Sequence, residues 1–316
     1  MAELLVYVDP DAVGGGTGVD WANAYTSLSA MEAAEQDDFD TANNWLHVYC
    51  RSSSSTADTT NLEINGSITS SDDYIKIEGA SGHRAKKTSW DASIYRLAPA
   101  ASNTVNVYDN HVWFDGIQFA CPTTGIYTGN ISAGSWTFIS NCRNNGSATW
   151  LAPNDSDGNM YIWNCINTGG GRFLDFNAGT AYVYNSIAYG SSQDGIRFIT
   201  GSSGAIYNTV SFKNGDDFDF HGGITVDHCA SDDGDGTNDV AESGGGVEWP
   251  DDFVDAANGD FTLKATSNLV GAGVADPGSG LYSTDIEGDT YATPPSLGVD
   301  EIAASGAAWI PRVMIF

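Results

Sequence analysis

Five short stretches of the chain repeat one pattern: Phe138-Ile-Ser-Asn-Cys142, Tyr161-Ile-Trp-Asn-Cys165, Tyr182-Val-Tyr-Asn-Ser186, Ala205-Ile-Tyr-Asn-Thr209 and Thr225-Val-Asp-His-Cys229. In each stretch an apolar run leads to Asn, or to His in the last copy, and then to a small residue. The Asn and His positions are 141, 164, 185, 208 and 228, so successive copies lie 20 to 23 residues apart. This period is one unit of a repeat protein, because it is too long for a hairpin and too short for a domain.

The residues between these copies indicate which repeat architecture is present. A Gly-rich turn follows each small residue, and a second short apolar strand comes next, as at 172–176 and 195–199. Two or three strands per 20 to 23 residues, without a helical segment, predict an all-β fold, a single-stranded right-handed parallel β-helix. One helix is expected, from 27 to about 37, where Ser29-Ala-Met-Glu32 fits a capping box. Its expected role is to cap the open end of the first coil.

The repeated Asn is expected to point inward at the bend between two strands. There it would bond to turn backbone and to the Asn of the neighbouring coil. The small residues that follow are expected to form an interior column, at Cys142, Cys165, Ser186, Thr209 and Cys229. The five cysteines of the chain are predicted to be reduced packing residues, and a bridge between Cys142 and Cys165 is the alternative.

Composition and charge limit the classes of partner. The chain of 316 residues has 41 acidic and 12 basic residues and a net charge of −29. This charge argues against nucleic acid, whose phosphates would be repelled. No apolar stretch reaches the length of a membrane span, so membrane insertion is not expected, and the first residues lack the features of a signal peptide.

The chain is predicted to form one continuous domain with three parts. Residues 1–40 are assigned to the first strand and capping helix, 41–230 to the β-helix coils, and 231–316 to C-terminal coils, a cap and a tail. The apolar tail at 309–316 either seals the last coil or contacts another subunit.

Two loops stand out by their charge. The loop at 81–99 contains the basic residues Arg84, Lys86, Lys87 and Arg96. It is interpreted either as a solvated loop or as a contact for an acidic partner. The loop at 231–239 is strongly acidic, and three of its carboxylates can offer oxygens to Ca²⁺: Asp233, Asp235 and Asp239. Its spacing departs from the EF-hand pattern, and a flexible turn without a metal is the alternative.

The best catalytic candidates are three carboxylates and a histidine near the last repeats: Asp216, Asp217, Asp219 and His221. Paired carboxylates can serve as a general acid and a water-activating base in glycoside hydrolysis. The group faintly resembles the paired Asp and the Gly-His-Gly of polygalacturonases. However, that family's Asn-x-Asp one coil earlier and its Arg-x-Lys one coil later are both missing. Solvent-facing positions of alternating strands are therefore the competing interpretation.

A binding surface is predicted from aromatic residues that recur at the spacing of the coils. Trp163, Tyr184 and Tyr207 each precede the repeated Asn, and they face outward if the Asn faces inward. Together with Arg197 and Asp175 they form the predicted glycan-binding set, because aromatic rings beside charged groups are typical of sugar-binding surfaces. Arg172 and Arg197 near Asp175 are also the only residues that suit a pectate-lyase site.

The two ends of the chain resemble a broad family of right-handed, pectate-lyase-like β-helix proteins. The resemblance rests on Tyr7-Val-Asp9, Gly14-Gly-Gly-Thr-Gly18 and Trp21-Ala-Asn-Ala-Tyr-Thr-Ser-Leu28 at the start, and on Ala272-Gly273, Thr284-Asp-Ile-Glu-Gly288 and Leu297-Gly-Val-Asp-Glu301 near the end. Members of this family occur among bacterial surface proteins and among phage structural and tail proteins.

The resemblance implies a non-enzymatic virion protein of a phage, either a tail spike or fibre or a capsid decoration. Its expected partners are other virion proteins, further copies of itself in a homotrimer, and host cell-surface polysaccharide. Its expected location is the virion, which lysis releases from the host. The alternative is a polysaccharide depolymerase, a hydrolase or a lyase, acting on acidic glycans in a groove of the β-helix. No cofactor is expected to be required, and Ca²⁺ is the candidate ligand.

Overall fold

The computed structural model describes residues 2–99, 105–120, 122–129, 131–154, 158–244, 249, 251–278 and 280–302. Two short helices lie near the N-terminus, α1 (Leu28–Glu35) and α2 (Phe39–Ala42), and 3-10 turns lie at Trp21–Asn23 and Ala256–Asn258. In chain order the strands are β1 (Ala2–Val8), β2 (Asn44–Cys50), β3 (Leu62–Ile64), β4 (Ile75–Gly79), β5 (Arg96–Leu97), β6 (Val105–Val107), β7 (Val112–Asp115), β8 (Gln118–Phe119), β9 (Ile126–Thr128), β10 (Trp136–Ser140), β11 (Arg143–Asn144), β12 (Asn159–Trp163), β13 (Ile166–Thr168), β14 (Leu174–Phe176), β15 (Gly179–Tyr184), β16 (Ile187–Tyr189), β17 (Asp194–Phe198), β18 (Ser202–Tyr207), β19 (Val210–Phe212), β20 (Asp216–Asp219), β21 (Ile224–Asp227), β22 (Phe253–Asp255) and β23 (Asp260–Leu263). Across these ranges, none of the helices is long and apolar enough to span a bilayer.

Three sheets of parallel strands form the body of the protein. Sheet I has the order β1-β2-β4-β7-β10-β12-β15-β18-β21, and sheet II has the order β5-β8-β11-β13-β16-β19. Sheet III consists of β3-β6-β9 and β14-β17-β20, which are joined by single bridges through Leu151. Each coil places its strands beside those of the coil before it. The chain is therefore a right-handed parallel β-helix, and the all-β fold class predicted from the repeats is confirmed.

The interior is built from residues that stack in register from coil to coil. In sheet I the stacked interior positions of the later strands are Ile139, Ile162, Val183, Ile206 and Val226. These β-branched side chains are buried, as strand alternation requires. The predicted interior column of small residues after the bend is also confirmed, since all five members are fully buried. The four described cysteines are free thiols.

The repeated Asn residues have a different orientation from the expected one. Asn141, Asn164, Asn185, Asn208 and His228 have φ between 44° and 54°, the left-handed conformation that Asn tolerates better than most residues. Two ladder bonds form, from Asn164 Nδ2 to Asn141 Oδ1 at 3.0 Å and from Asn208 Nδ2 to Asn185 Oδ1 at 3.2 Å. The inward orientation was wrong, because these side chains bond to groups outside the coils. Asn141 donates to the buried Asp115 at 2.7 Å, and Asn164 and Asn208 donate to the carbonyls of Thr284 and Val274, near the C-terminal end of the described chain. The left-handed bend turns the Asn outward so that the next, small residue can enter the core.

The predicted capping helix is present as α1. Its N-cap is Ser27, whose hydroxyl accepts the N–H three residues later at 3.0 Å, and not Ser29 of the proposed capping box. Leu28 and Met31 are fully buried, and α1 packs beside β3, the terminal strand of sheet III. The helix therefore covers the edge and core that the first coil would otherwise expose.

The C-terminal segment, residues 251–278 and 280–302, runs along the outside of sheet II. Ile166, Ile187 and Val210 point outward from that sheet and form a second hydrophobic core with residues that include Phe253, Phe261, Leu263, Leu269, Leu297 and Val299. Further coils were expected from 231 onward, but β22 and β23 pair antiparallel in this segment. The division of the chain at 40/41 and 230/231 stays a prediction, and the predicted tail at 309–316 lies outside the described residues.

The basic residues of the loop at 81–99 bond to other parts of the protein. Arg84 bonds to Glu78 and Asp115, Lys86 to Asp91, Lys87 to Asp300 and Glu287, and Arg96 to backbone carbonyls of Ala92 and Ser55. The acidic partner of this loop is therefore the protein itself, including its C-terminal segment. A buried pair such as Lys87 with Asp300 fixes the path of both segments.

Candidate functional site

Aromatic side chains cover the outer surface of sheet I. Phe138, Tyr161 and Tyr182 are aligned on adjacent strands, as are Tyr184 and Tyr207. We define the aromatic face as Tyr7, Trp45, Tyr49, Trp113, Trp136, Phe138, Tyr161, Trp163, Tyr182, Tyr184 and Tyr207. Because side chains alternate along a strand, these rings point away from the core. The surface therefore extends over most of the length of the β-helix.

The rings of the aromatic face contact one another both within a strand and between adjacent strands. Ring centroids are 3.9 Å apart for Trp136 and Phe138, 5.4 Å for Phe138 and Tyr161, and 5.0 Å for Tyr161 and Tyr182. Most of these separations fall in the range that favours aromatic pairs. All four side chains are only partly buried. They form a continuous, partly open apolar surface.

The three aromatic residues of the predicted glycan-binding set differ in accessibility. Trp163 and Tyr184 lie on the aromatic face, but each is only 4% exposed. Tyr282 of the C-terminal segment covers Tyr184, with their ring centroids 5.5 Å apart. Tyr207 is half-buried. Tyr161 and Tyr182, two residues before Trp163 and Tyr184 in their strands, also point outward by alternation and are more open than those two rings.

A charged network interrupts the aromatic face near its middle. Glu78 and Asp115 are aligned on adjacent strands, and both bind Lys76 and Arg84 at 2.5 to 3.3 Å. Burial opposes the ionisation of Glu78, but the bonds from His47, Lys76 and Arg84 outweigh it and lower its pKa to about 2. Lys76 also lies over the ring of Trp113, 4.4 Å from its centroid. These charges are therefore satisfied within the protein.

Two arginines and two aspartates form a network of ion pairs on the outer face of sheet III. Arg197 donates to both carboxylate oxygens of Asp175, at 2.9 and 3.0 Å, and Arg172 donates to Asp194 at 2.5 Å. The predicted glycan contacts Arg197 and Asp175 are thus bound to each other, on adjacent strands. Bidentate pairing of this kind holds both side chains in place.

The predicted catalytic residues occupy different environments. Asp217 is 2% exposed and accepts bonds from the Asp232 N–H at 2.6 Å and from Asn214 at 2.9 Å. Asp216 and Asp219, on the same strand, are exposed. The His221 ring bonds to the Ser202 carbonyl and to the Gly223 N–H and makes no bond to the three aspartates within the described ranges. Asp217 is therefore a structural residue of β20, which it connects to the preceding turn and to the start of the acidic loop.

The acidic loop joins one of these carboxylates. Oxygens of Asp216, Asp233 and Asp235 lie within 4.8 Å of one another. Burial, together with the charge of Asp233, raises the pKa of Asp235 to about 7. The third predicted metal ligand, Asp239, is not a member of this group, although the charge of Asp233 contributes to raising its pKa after burial. The sequence thus indicated the loop but not its partner Asp216, which is brought in by the coil register.

Stability is expected to increase as the pH falls from 8 to 5. Burial raises the pKa of Asp217 from 3.8 to about 7, so the folded protein binds a proton that the unfolded chain releases. This stabilising contribution is complete below the unfolded pKa and disappears as the pH rises through 7, at a rate of about 1 kcal/mol per pH unit. Thermal unfolding of Asp217→Asn at pH 5 and pH 8 should therefore show a smaller difference than wild type.

The matched control is Asp219→Asn, an exposed carboxylate on the same strand. It should keep the pH dependence of the wild-type protein. An unchanged pH dependence in Asp217→Asn, or a wild type that becomes less stable toward pH 5, would show that burial does not raise the pKa of the Asp217 carboxyl group.

Comparisons with known proteins give one likeness. No family model and no curated protein matches this chain. Its structure is similar to the crystal structure of pectate lyase Pel9A, with a TM-score of 0.45 and 14% sequence identity over 96% of this chain and 97% of that chain.

Proposed function

We propose that this protein is a non-enzymatic β-helix that binds polysaccharide along its aromatic face. The observation that supports it is the continuous row of partly open rings on sheet I. Sugar rings present C–H groups that pack on aromatic faces, and strands 4.7–4.9 Å apart offer such contacts repeatedly along one direction. A polymer with regularly repeated sugar rings suits this surface better than a compact ligand does.

Binding to immobilised polysaccharides tests this proposal. The full-length protein is incubated with a broad panel of neutral and acidic polysaccharides, and the bound fraction is measured. We expect retention on at least one polysaccharide. Failure to bind every member of the panel would contradict the proposal.

We further propose that the protein is part of a phage virion, as a tail spike or fibre or as a capsid decoration, and that it acts there as a homotrimer on host surface glycans. The family resemblance of the two chain ends supports this proposal. Mass spectrometry of purified particles from a phage that carries the gene should detect the chain. Its absence from such particles would end the virion proposal.

A second candidate function, a polysaccharide depolymerase, is favoured by the carboxyl groups of the acidic loop. Burial and the neighbouring Asp233 raise the pKa of Asp235 to about 7, so Asp235 can carry a proton near neutral pH. A carboxyl group that carries a proton near neutral pH suits the role of general acid in glycoside cleavage. An enzyme would release new reducing ends or unsaturated uronates from a polysaccharide, and Asp235→Asn would abolish their release. No product on a broad panel would exclude this candidate.

Calcium is proposed as a ligand of the acidic loop. Three carboxylate oxygens within 4.8 Å of one another can contact one Ca²⁺ at 2.3–2.6 Å. Calcium at 100 times its Kd is then expected to stabilise the fold by about 2.7 kcal/mol, which raises the melting temperature by several degrees. Asp233→Asn should remove most of this shift, whereas Asp219→Asn should keep it. Equal shifts in all three proteins would indicate general screening of the negative charge.

A further inference from the structure

A pocket of about 380 Å³ lies near the N-terminal end of the aromatic face. Tyr7 and Tyr49 contribute to it from the paired strands β1 and β2, and Trp21 contributes from a 3-10 turn. The ring centroids of Tyr7 and Trp21 are 4.6 Å apart at 63°, and those of Tyr7 and Tyr49 are 6.3 Å apart. Asp20 caps the turn by accepting the Asn23 N–H at 2.9 Å, which fixes the position of the indole. The pocket therefore has aromatic walls that are set by backbone structure.

Two polar side chains complete the pocket. Arg51 donates its Nε–H to the buried Asp9 at 2.8 Å, and its guanidinium carbon lies 4.2 Å from the Trp21 ring centroid. His83 Nδ1 accepts the Ser52 N–H at 3.4 Å. Burial and the charge of Arg51 lower the pKa of His83, so the ring is neutral at pH 7 and carries its proton on Nε2. The pocket thus offers hydrogen-bond donors from a guanidinium and an imidazole beside aromatic rings.

The charge of the pocket selects a class of ligand. The residues that line it are Tyr7, Trp21, Tyr49, Arg51, Ala80, Ser81 and His83, and none of them is a carboxylate. Asp9 balances the charge of Arg51, and His83 is neutral. A carboxylated sugar would find no net positive charge here and would be repelled by a chain of net charge −29. A neutral sugar matches both the apolar walls and the donors.

We propose that this pocket binds one pyranose residue of a neutral polysaccharide, and that the polymer continues from it along the aromatic face. The second half rests on the proposed function, whereas the pocket itself can be filled by a single sugar ring. The C–H face of the sugar packs on Trp21 and the two tyrosines. Its hydroxyl groups accept hydrogen bonds from Arg51 and from His83 Nε2.

Single-ring probes separate the pocket from the rest of the surface. The full-length protein is titrated with neutral methyl hexopyranosides and with a methyl galacturonoside, and binding is followed by saturation-transfer NMR and calorimetry. We expect a neutral glycoside to bind and Trp21→Ala to weaken that binding by about tenfold. Trp90→Ala, which removes a partly buried indole outside this pocket, should bind as wild type does. His83→Ala is the second variant, because it keeps the aromatic walls and removes one donor.

Three outcomes would overturn the proposal: no binding of any neutral glycoside, unchanged affinity in both pocket variants, or a preference for the galacturonoside. If the wild-type protein binds a neutral glycoside but none of the polysaccharides, the proposed function is contradicted and the pocket assignment stands. Thermal unfolding of each variant establishes that the fold is retained before binding is compared.

Discussion

Replacing Arg143 with methionine is expected to lower the free energy of unfolding by about 3 kcal/mol. The side chain is 1% exposed and donates to the backbone carbonyls of Lys86 at 3.0 Å, Lys87 at 3.3 Å and Gly259 at 2.9 Å. It also packs over the ring of Phe261. Methionine fills a similar volume but donates no hydrogen bond, so the three carbonyls lose the guanidinium as a donor, although that of Lys87 still accepts the Phe261 N–H. One residue of sheet II thereby connects the basic loop to the C-terminal segment.

The matched control is Arg197→Met. Arg197 also donates hydrogen bonds to oxygens, those of the Asp175 carboxylate. Its side chain is 28% exposed, however, so water can replace the lost contacts. We expect it to cost less than about 1 kcal/mol. Urea unfolding of the three proteins measures the difference. Equal stabilities for Arg143→Met and Arg197→Met would show that Arg143 does not join these segments.

The coils were predictable because their information is local. Each copy of the motif contains a run of alternating residues, then Asn, then a small residue, and these choices agree with a strand, a left-handed bend and a packed interior. The direction in which the Asn points was not predictable from alternation, since alternation ends where φ becomes positive, as at Asn141 and Asn164.

The C-terminal segment was not predicted because its contacts are distant in sequence. Asn208 bonds to Val274, and Lys87 to Asp300. One local signal for it was present. The strand Val210–Phe212 is fully buried at every position, which indicates cover on both sides of sheet II.

The candidate site was predictable only where it depends on the local pattern of the sequence. Alternation placed the aromatic residues on the outer surface of sheet I, but it could not tell that Tyr282 covers Tyr184. Similarly, composition singled out the acidic loop, whereas the approach of Asp216 to Asp233 follows from coil geometry. A site formed by residues of neighbouring coils can be predicted only when the register between the strands of those coils is known.

Replacing Tyr161 and Tyr182 together with alanine is expected to weaken polysaccharide binding by about 30- to 100-fold. Their rings stack at 5.0 Å between centroids on the adjacent strands β12 and β15 of the aromatic face. Each lost ring removes about 1 to 1.5 kcal/mol of stacking. The fold should tolerate the change, because the core positions beside them, Ile162 and Val183, are unaltered.

Tyr127→Ala is the matched control for this pair. Tyr127 lies on sheet III, on a different side of the coil, and is partly buried to a similar degree. Its removal should leave polysaccharide binding unchanged. If the protein adsorbed glycans non-specifically through any exposed aromatic ring, either change would weaken binding.

Calorimetric titration of a retained polysaccharide into the wild type, the Tyr161→Ala/Tyr182→Ala variant and Tyr127→Ala tests the central claim most directly. We predict equal Kd values for the wild type and Tyr127→Ala and a 30- to 100-fold higher Kd for the double variant, with unchanged circular dichroism. The same Kd in all three proteins, or a wild type that binds no polysaccharide, would contradict the assignment of the aromatic face as a polysaccharide-binding surface.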